Sequence, residues 1–208
     1  KGCELVDLTD RSRVIQFGKD HNFDIVFHFA GKIDQSVRPG IYEEQFKLHL
    51  LATLNLIDAV SHHGLKRYVH IGSAAEYGNA PCPHSETSRE APCSAYGVSK
   101  LAATKMIMAK AASENFPAIV VRPFLLYGKG QAKHSFLQMA LDSACAGTDF
   151  PTTPGEQTRD WVSVEKAVRE ILILGTSLLL KPGKIYNICT GVEITVREVL
   201  LLIKKHVP

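Results

Sequence analysis

Arg67-Tyr68-Val69-His70-Ile71-Gly72 runs directly into Ser73-Ala74-Ala75-Glu76-Tyr77-Gly78. The first half is rich in β-branched and aromatic residues and does not alternate between apolar and polar. That is the pattern of a strand covered on both faces, as in a parallel sheet packed between helices. The second half, built from small residues after a glycine, reads as a loop at the carboxyl end of that strand. Three more runs share the strand pattern: Phe23 to Phe29, Ala118 to Val121, and Lys184 to Ile188. Between them lie helical patterns. Phe46, Leu50, Leu54 and Ile57 make one apolar stripe on a helix from about Ile41 to His62, with Gly64 as its stop. A second helix is expected from about Ser94 to Glu114. A third starts near Thr195, where Thr195-Val196-Arg197-Glu198 fits a capping box. Strand and helix in alternation predict an α/β fold, a doubly wound parallel sheet with right-handed crossovers. The Gly- and Pro-punctuated stretch from Lys129 to Asp160 marks a transition to a smaller lobe.

Composition narrows the class of protein. With 208 residues the chain can bury a core for one domain, or for one domain with a small annex. The 24 basic residues exceed the 21 acidic ones by only three, which argues against a nucleic-acid partner. The longest apolar stretch, Ile171 to Leu180, is broken by Gly175, Thr176 and Ser177, so no membrane span is expected. The first residues carry no secretory leader pattern, and they read like the middle of something rather than a start. Five cysteines without a Cys-x-x-Cys pair fit reduced thiols in a cytoplasmic protein, Cys82 and Cys93 included. Cysteine and histidine spacings match no metal site. The His62-His63 doublet reads as a solvated helix end, and His28 and His70 as strand residues packed in the core or toward a cofactor. Glu76 reads as a hydrogen-bonding brace for its own loop.

Ligands in open α/β sheets sit outside the carboxyl ends of the strands. The helix after the Ser73 loop carries Tyr96-Gly97-Val98-Ser99-Lys100, and residues four apart share one helical face. A free tyrosine, with a pKa near 10, is a poor base at neutral pH, but a neighbouring ammonium draws that pKa down. With the Ser73 hydroxyl to hold a substrate oxygen, Tyr96 and Lys100 would form a proton-transfer site. Tyr-x-x-x-Lys also occurs by chance on many helices; its position beside a strand-end serine raises it above that background.

On these residues the sequence resembles the extended short-chain dehydrogenase/reductase family, the NAD-dependent nucleotide-sugar epimerases, dehydratases and reductases. The resemblance continues in order along the chain, from Asp7-Leu8-Thr9-Asp10 through Asp24 to Ala30, Arg122-Pro123-Phe124 with Tyr127-Gly128, and Gly155 to Val162. It implies a Rossmann-type sheet, incomplete at the N-terminus, in residues 1–128, and substrate-lobe elements with a returning strand and helix in 129–208. It implies hydride transfer between NAD or NADP and a sugar carbon, with Ser73, Tyr96 and Lys100 catalytic. Asp7, Leu8, Phe29, Ala30, Gly31, Tyr96, Lys100 and Pro123 would face the cofactor. Ser73, Ala74, Ala75, Leu125 and Arg159 would face a nucleotide-sugar substrate. The resemblance further implies a homodimer packed through the helix containing Phe46 and the helix bearing Tyr96.

Several positions depart from the family pattern. Ala74 and Ala75 replace the acidic pair of the dehydratases, which points toward a ketosugar reductase or an epimerase. His49 stands where asparagine is common, Leu125 where asparagine contacts substrate, and Lys166 where an acidic residue is expected. The family's Gly-x-x-Gly-x-x-Gly phosphate loop does not occur in these 208 residues. The chain is therefore expected to begin after the first βαβ unit and to stop within the substrate lobe. The competing expectation is a catalytically incompetent fragment or binding-only member that cannot hold the dinucleotide. A redox-sensing or scaffold protein ranks last.

Overall fold

The computed structural model describes residues 3–61, 64–177 and 179–207. The His62-His63 doublet lies outside the described residues. In chain order the elements are α1 (Arg11–Asp20), β1 (Ile25–His28), α2 (Ile41–Phe46), a π-helical turn (Lys47–Leu51), α3 (Ala52–Val60), β2 (Arg67–Ile71), α4 (Ala95–Glu114), β3 (Ala118–Pro123) and β4 (Leu125–Tyr127). There follow α5 (Phe136–Ala146), β5 (Thr158–Arg159), β6 (Trp161–Ser163), α6 (Val164–Thr176), β7 (Lys184–Ile188), β8 (Ile194–Thr195) and α7 (Val196–His206). The chain forms two compact units, Lys1–Arg122 with Ile171–Asn187, and Pro123–Glu170 with Ile188–Pro208.

The first unit holds the sheet, in the order β1-β2-β3-β7. The β1–β2 and β2–β3 pairs are parallel, with Val26 opposite Tyr68 and Val69 opposite Ile119. This is the doubly wound α/β architecture expected from the strand runs. Val69 and the run from Ala118 to Val121 are fully buried, as a strand covered on both faces requires. Val14, Ile57, Tyr68, Ile107, Phe116 and Val120 form one apolar cluster. Burying each side chain of that size contributes about 1.5–3 kcal/mol.

The long helical segment turns differently from its apolar stripe. Phe46, Leu50 and Leu54 are only half-buried, while Gln45, His49, Thr53 and Ile57 face inward. The inward face is therefore largely polar, and the π-helical turn at Lys47–Leu51 sits in the middle of it. The helix ends fit their sequence signals better. Ser94 caps α4 by accepting the Gly97 N–H at 3.1 Å, and Thr195 and Glu198 complete the capping box of α7.

In the second unit β4 pairs in parallel with β6, and β5 pairs antiparallel with β8. Helix α5 and most of these short strands left no clear periodic signal. They are too brief for alternation to register, and backbone pairing rather than hydrophobic pattern defines them.

Candidate active site

β2 ends at Ile71, and the chain passes through Gly72 into a single 3-10 turn, Ala74–Glu76. Ser73 caps that turn: its Oγ accepts the Ala75 N–H at 3.1 Å, and Glu76 Oε1 accepts the Ser73 N–H at 2.9 Å. A Cβ at position 72 would lie 2.5 Å from Glu76 Oε1, so only glycine lets the carboxylate approach this closely. The serine is thereby placed by its own loop, at the carboxyl end of a central strand.

Tyr96 lies in the first turn of α4 and is 7% exposed; Lys100, one turn on, is 6% exposed. The Ser73 side chain lies close enough to the Tyr96 phenol to draw its pKa down. The Lys100 ammonium donates to the Ile71 carbonyl, the last residue of β2. Ser73, Tyr96 and Lys100 are thus brought to one strand end. Their electrostatics differ from the expectation. Burial raises the Tyr96 phenol above its usual value, against the pull of the Ser73 side chain, and the Glu76 charge raises it further. The Lys100 ammonium is spent partly on a carbonyl, and burial brings its own pKa down to about 8. In this state Tyr96 holds its proton at neutral pH and is poised as an acid.

Beneath the triad lies a fully buried ion pair that the sequence reading did not single out. Glu76 Oε2 receives Arg122 Nε at 2.9 Å, and Arg122 Nη2 also reaches Glu90 Oε1 at 2.9 Å. The Arg122 guanidinium stacks 4.6 Å from the centre of the Tyr77 ring. Glu76 does brace its own loop, as expected, but Arg122 makes that brace permanent. The available signal was a charge at the end of Ala118-Ile119-Val120-Val121, because an arginine in such a strand must be paired.

The remaining first-unit residues expected to face a cofactor occupy two places. Asp7 Oδ1 accepts both the backbone N–H and the hydroxyl of Thr9 at 2.8 Å, and the Leu8 carbonyl accepts from Asn55 Nδ2 at 3.0 Å. Phe29, Ala30 and Gly31 follow β1, and Phe29 is 59% exposed. Pro123 closes β3 and is assigned to the second unit, along with Leu125 and Arg159. Within that unit the Leu125 N–H donates to the Asp160 carbonyl at 3.2 Å and Leu125 pairs with Trp161, while Arg159 is exposed. Asp160 is taken by Thr190 and Gly191 N–H groups at 2.7–2.9 Å, so it is not the ion-pair partner of Arg159. Arg159 Nη1 donates to its neighbour's carbonyl at 2.7 Å and stays open to an anion. The same unit holds an open groove of about 670 Å³ whose lining includes Phe136, Phe150 and Gln157. The two rings there meet edge to face at 5.4 Å.

Among the described residues no group of three or more histidine, cysteine or acidic side chains could hold a metal ion. No described helix is long and apolar enough to cross a membrane.

Known proteins are similar to this chain in sequence and in fold. "Probable UDP-arabinose 4-epimerase 3" of Oryza sativa subsp. japonica is 27% identical over 226 residues, covering 96% of this chain and 55% of that protein. The GDP-6-deoxy-D-mannose reductase of Pseudomonas aeruginosa is 29% identical over 194 residues, covering 86% of this chain and 62% of that one. The chain therefore spans under two thirds of the length of these relatives. The solved structure of MoeE5 in complex with UDP-glucose and NAD superposes with a TM-score of 0.83 at 28% identity, over 97% of this chain and 67% of the other. The model of the "NAD dependent epimerase/dehydratase family" matches residues 3–189, nearly the whole of the described fold, and the chain belongs to that family.

Proposed function

We propose that the protein is an NAD(P)-dependent nucleotide-sugar epimerase or ketosugar reductase in which Tyr96 moves the proton on the reacting sugar oxygen. The observation that carries this reading is the meeting of Ser73 and Tyr96 at the carboxyl end of β2, with the Lys100 ammonium buried alongside. A bound dinucleotide supplies the hydride acceptor or donor at the sugar carbon. The chain's residues fit the nicotinamide side of such a group. Lys100 has three donors and Ile71 takes one, which leaves two for ribose hydroxyls. In the first unit Gly31, Ala30 and Phe29 would face the nicotinamide side, and Asp7 with Leu8 would serve the adenine end. Residues 1–128 would carry the dinucleotide, and 129–208 the substrate-lobe elements together with a strand and helix that return to the first unit, as β7 does.

For the substrate, Ser73 holds the reacting oxygen while Tyr96 gives or takes its proton. Ala74 and Ala75 offer no acid or base for loss of water, so dehydration is the disfavoured branch. Arg159 takes a diphosphate, since a guanidinium matches phosphate oxygens in pairs. The groove at Phe136 and Phe150 suits a flat base with a polar edge, with Gln157 to bond it. Leu125, apolar where an amide is usual, favours a sugar face without a hydroxyl at that point. The relatives that are a UDP-arabinose epimerase and a GDP-6-deoxy-D-mannose reductase support both branches of the activity.

Tyr96→Phe is expected to lower turnover by about 10²–10⁴-fold, the usual worth of a positioned acid or base. The substrate KM should change little. The measurement is NAD(P)H absorbance with 4-keto nucleotide sugars for reduction, and chromatographic separation of the C4 epimers for epimerisation, which leaves the dinucleotide unchanged overall; full activity in the variant would overturn the role of Tyr96. Calorimetric titration with NAD and NADP tests the cofactor half separately, and silence with both would reject it. The half-buried Phe46-Leu50-Leu54 stripe supports a homodimer through this helix and α4, which light scattering would show as twice the monomer mass.

A further inference from the structure

His49 stands at the centre of the π-helical turn, 2% exposed, with both ring nitrogens engaged. π-Helical turns are costly and concentrate at functional sites. The Lys32 backbone N–H can only donate, and it points at His49 Nε2 from 3.2 Å, so Nε2 carries the lone pair. The other nitrogen, Nδ1, lies 2.9 Å from Ser99 Oγ. The Ser99 hydroxyl already gives its own proton to the Tyr96 carbonyl at 2.8 Å, so at Nδ1 it can only accept. Two separate contacts therefore demand the same neutral tautomer, with the proton on Nδ1. Burial and the Lys100 charge hold the imidazole neutral by lowering its pKa to about 4. The His49 ring also meets the Tyr96 ring edge to face, 5.3 Å between centres at 80°.

We propose that His49 is a positioning residue for Tyr96, acting through the Nδ1–H to Ser99 to Tyr96 carbonyl relay and through the ring contact. The inference rests on the proton-transfer role of Tyr96 proposed above. The backbone relay sets where the first turn of α4 holds residue 96, and the ring wall sets where its phenol swings. The Nε2 side serves a different purpose, clamping the chain after β1. A Cβ at Gly31 would lie 3.0 Å from Nε2, so that segment passes directly against the ring.

Two amide replacements separate these roles. Asparagine places its N–H₂ near the Nδ1 position and can still donate to Ser99; glutamine reaches toward the Nε2 position and can still accept from Lys32. His49→Asn is expected to keep kcat within about threefold of the parent. His49→Gln is expected to lower kcat about 10–100-fold with KM unchanged, since a small misplacement of a reacting group costs up to about 10²-fold. Equal kcat values in the two variants, or a loss confined to KM, would overturn the proposal. A second readout needs no turnover. In the protein without ligand, ¹⁵N spectra should show His49 protonated at Nδ1 and bare at Nε2 at pH 7. The ¹³Cζ resonance of Tyr96 should shift in His49→Gln and not in His49→Asn. The opposite tautomer, an imidazolium, or a Tyr96 signal that moves equally in both variants would refute the positioning role. If the parent turns over no nucleotide sugar while the spectra behave as expected, the proposed activity fails and the His49 relay stands.

Discussion

Arg122→Met is expected to destabilise the protein by about 3–5 kcal/mol, the usual cost of leaving a buried charge without its partner. The guanidinium is fully buried and so is the Glu76 carboxylate, 2.8 Å away. Arg122 also holds Glu90, itself paired to Lys105 at 2.9 Å. Methionine fills similar space and leaves the Tyr77 contact, but it offers nothing to either carboxylate. Burial already pushes the Glu76 carboxyl up, and Arg122 is the largest influence opposing that rise. Without it Glu76 takes a proton, and the Ser73 N–H loses a charged acceptor. In thermal denaturation the midpoint should fall by about 6–20 °C, given roughly 2–4 °C per kcal/mol at this chain length. The double variant Arg122→Met with Glu76→Gln should recover a large part of the loss, because no uncompensated charge remains beside position 73. A single variant within about 1 kcal/mol of the parent, or a double variant no better than the single, would show that the pair is not the brace of this loop.

Acid should unfold the protein early and steeply. His28, His49 and His70 are each at most 3% exposed. Burial is the first cause in all three, with the Lys100 charge second, and it lowers His28 to about 3, His49 to about 4 and His70 well below its ordinary value. His28 Nδ1 lies 2.8 Å from the Tyr68 hydroxyl and 3.4 Å from His70 Nδ1, where a second positive charge would meet the first. The sign follows from the direction. A depressed folded pKa means the unfolded chain binds the proton first, so the stability is fully present above about pH 6.5 and drains away as pH falls toward about 3. Three such groups give a slope near 4 kcal/mol per pH unit, and about 6 kcal/mol lost by pH 5. Glu76, whose pKa is raised by burial, works in the opposite direction, since the folded chain takes up that proton first. The loss at pH 5 is comparable to the whole stability of an ordinary domain. Urea titrations at pH 8, 7, 6 and 5 measure it. A free energy that stays flat from pH 7 to pH 5 would contradict the buried neutral histidines, and His70→Gln should reduce the slope by about one proton.

The strand run at Arg67–Ile71 and its small-residue loop were enough to locate the sheet, because burial on both faces removes the alternation of apolar and polar residues. The capping box at Thr195 was equally legible, since capping is a contact between neighbours in sequence. The long helix was read less well. Its apolar stripe was clear, yet the structure turns the polar series Gln45, His49, Thr53 inward, because that face meets α4 rather than lipid-like core. Patterning assumes that what is buried is apolar, and an active site breaks that assumption with hydrogen bonds made across 50 residues of chain.

The same division holds for the chemistry. Composition and local spacing determined the α/β class, the strand ends, and the residue types of the triad: a serine after a strand, and a tyrosine and lysine one helical turn apart. Those are short-range facts. The charge state of Tyr96, the partner of Arg122 and the tautomer of His49 were decided only by the tertiary structure. Each depends on how deeply a group is removed from water and on which distant donor or acceptor meets it there, and desolvation is a property of the packed molecule rather than of any stretch of its sequence.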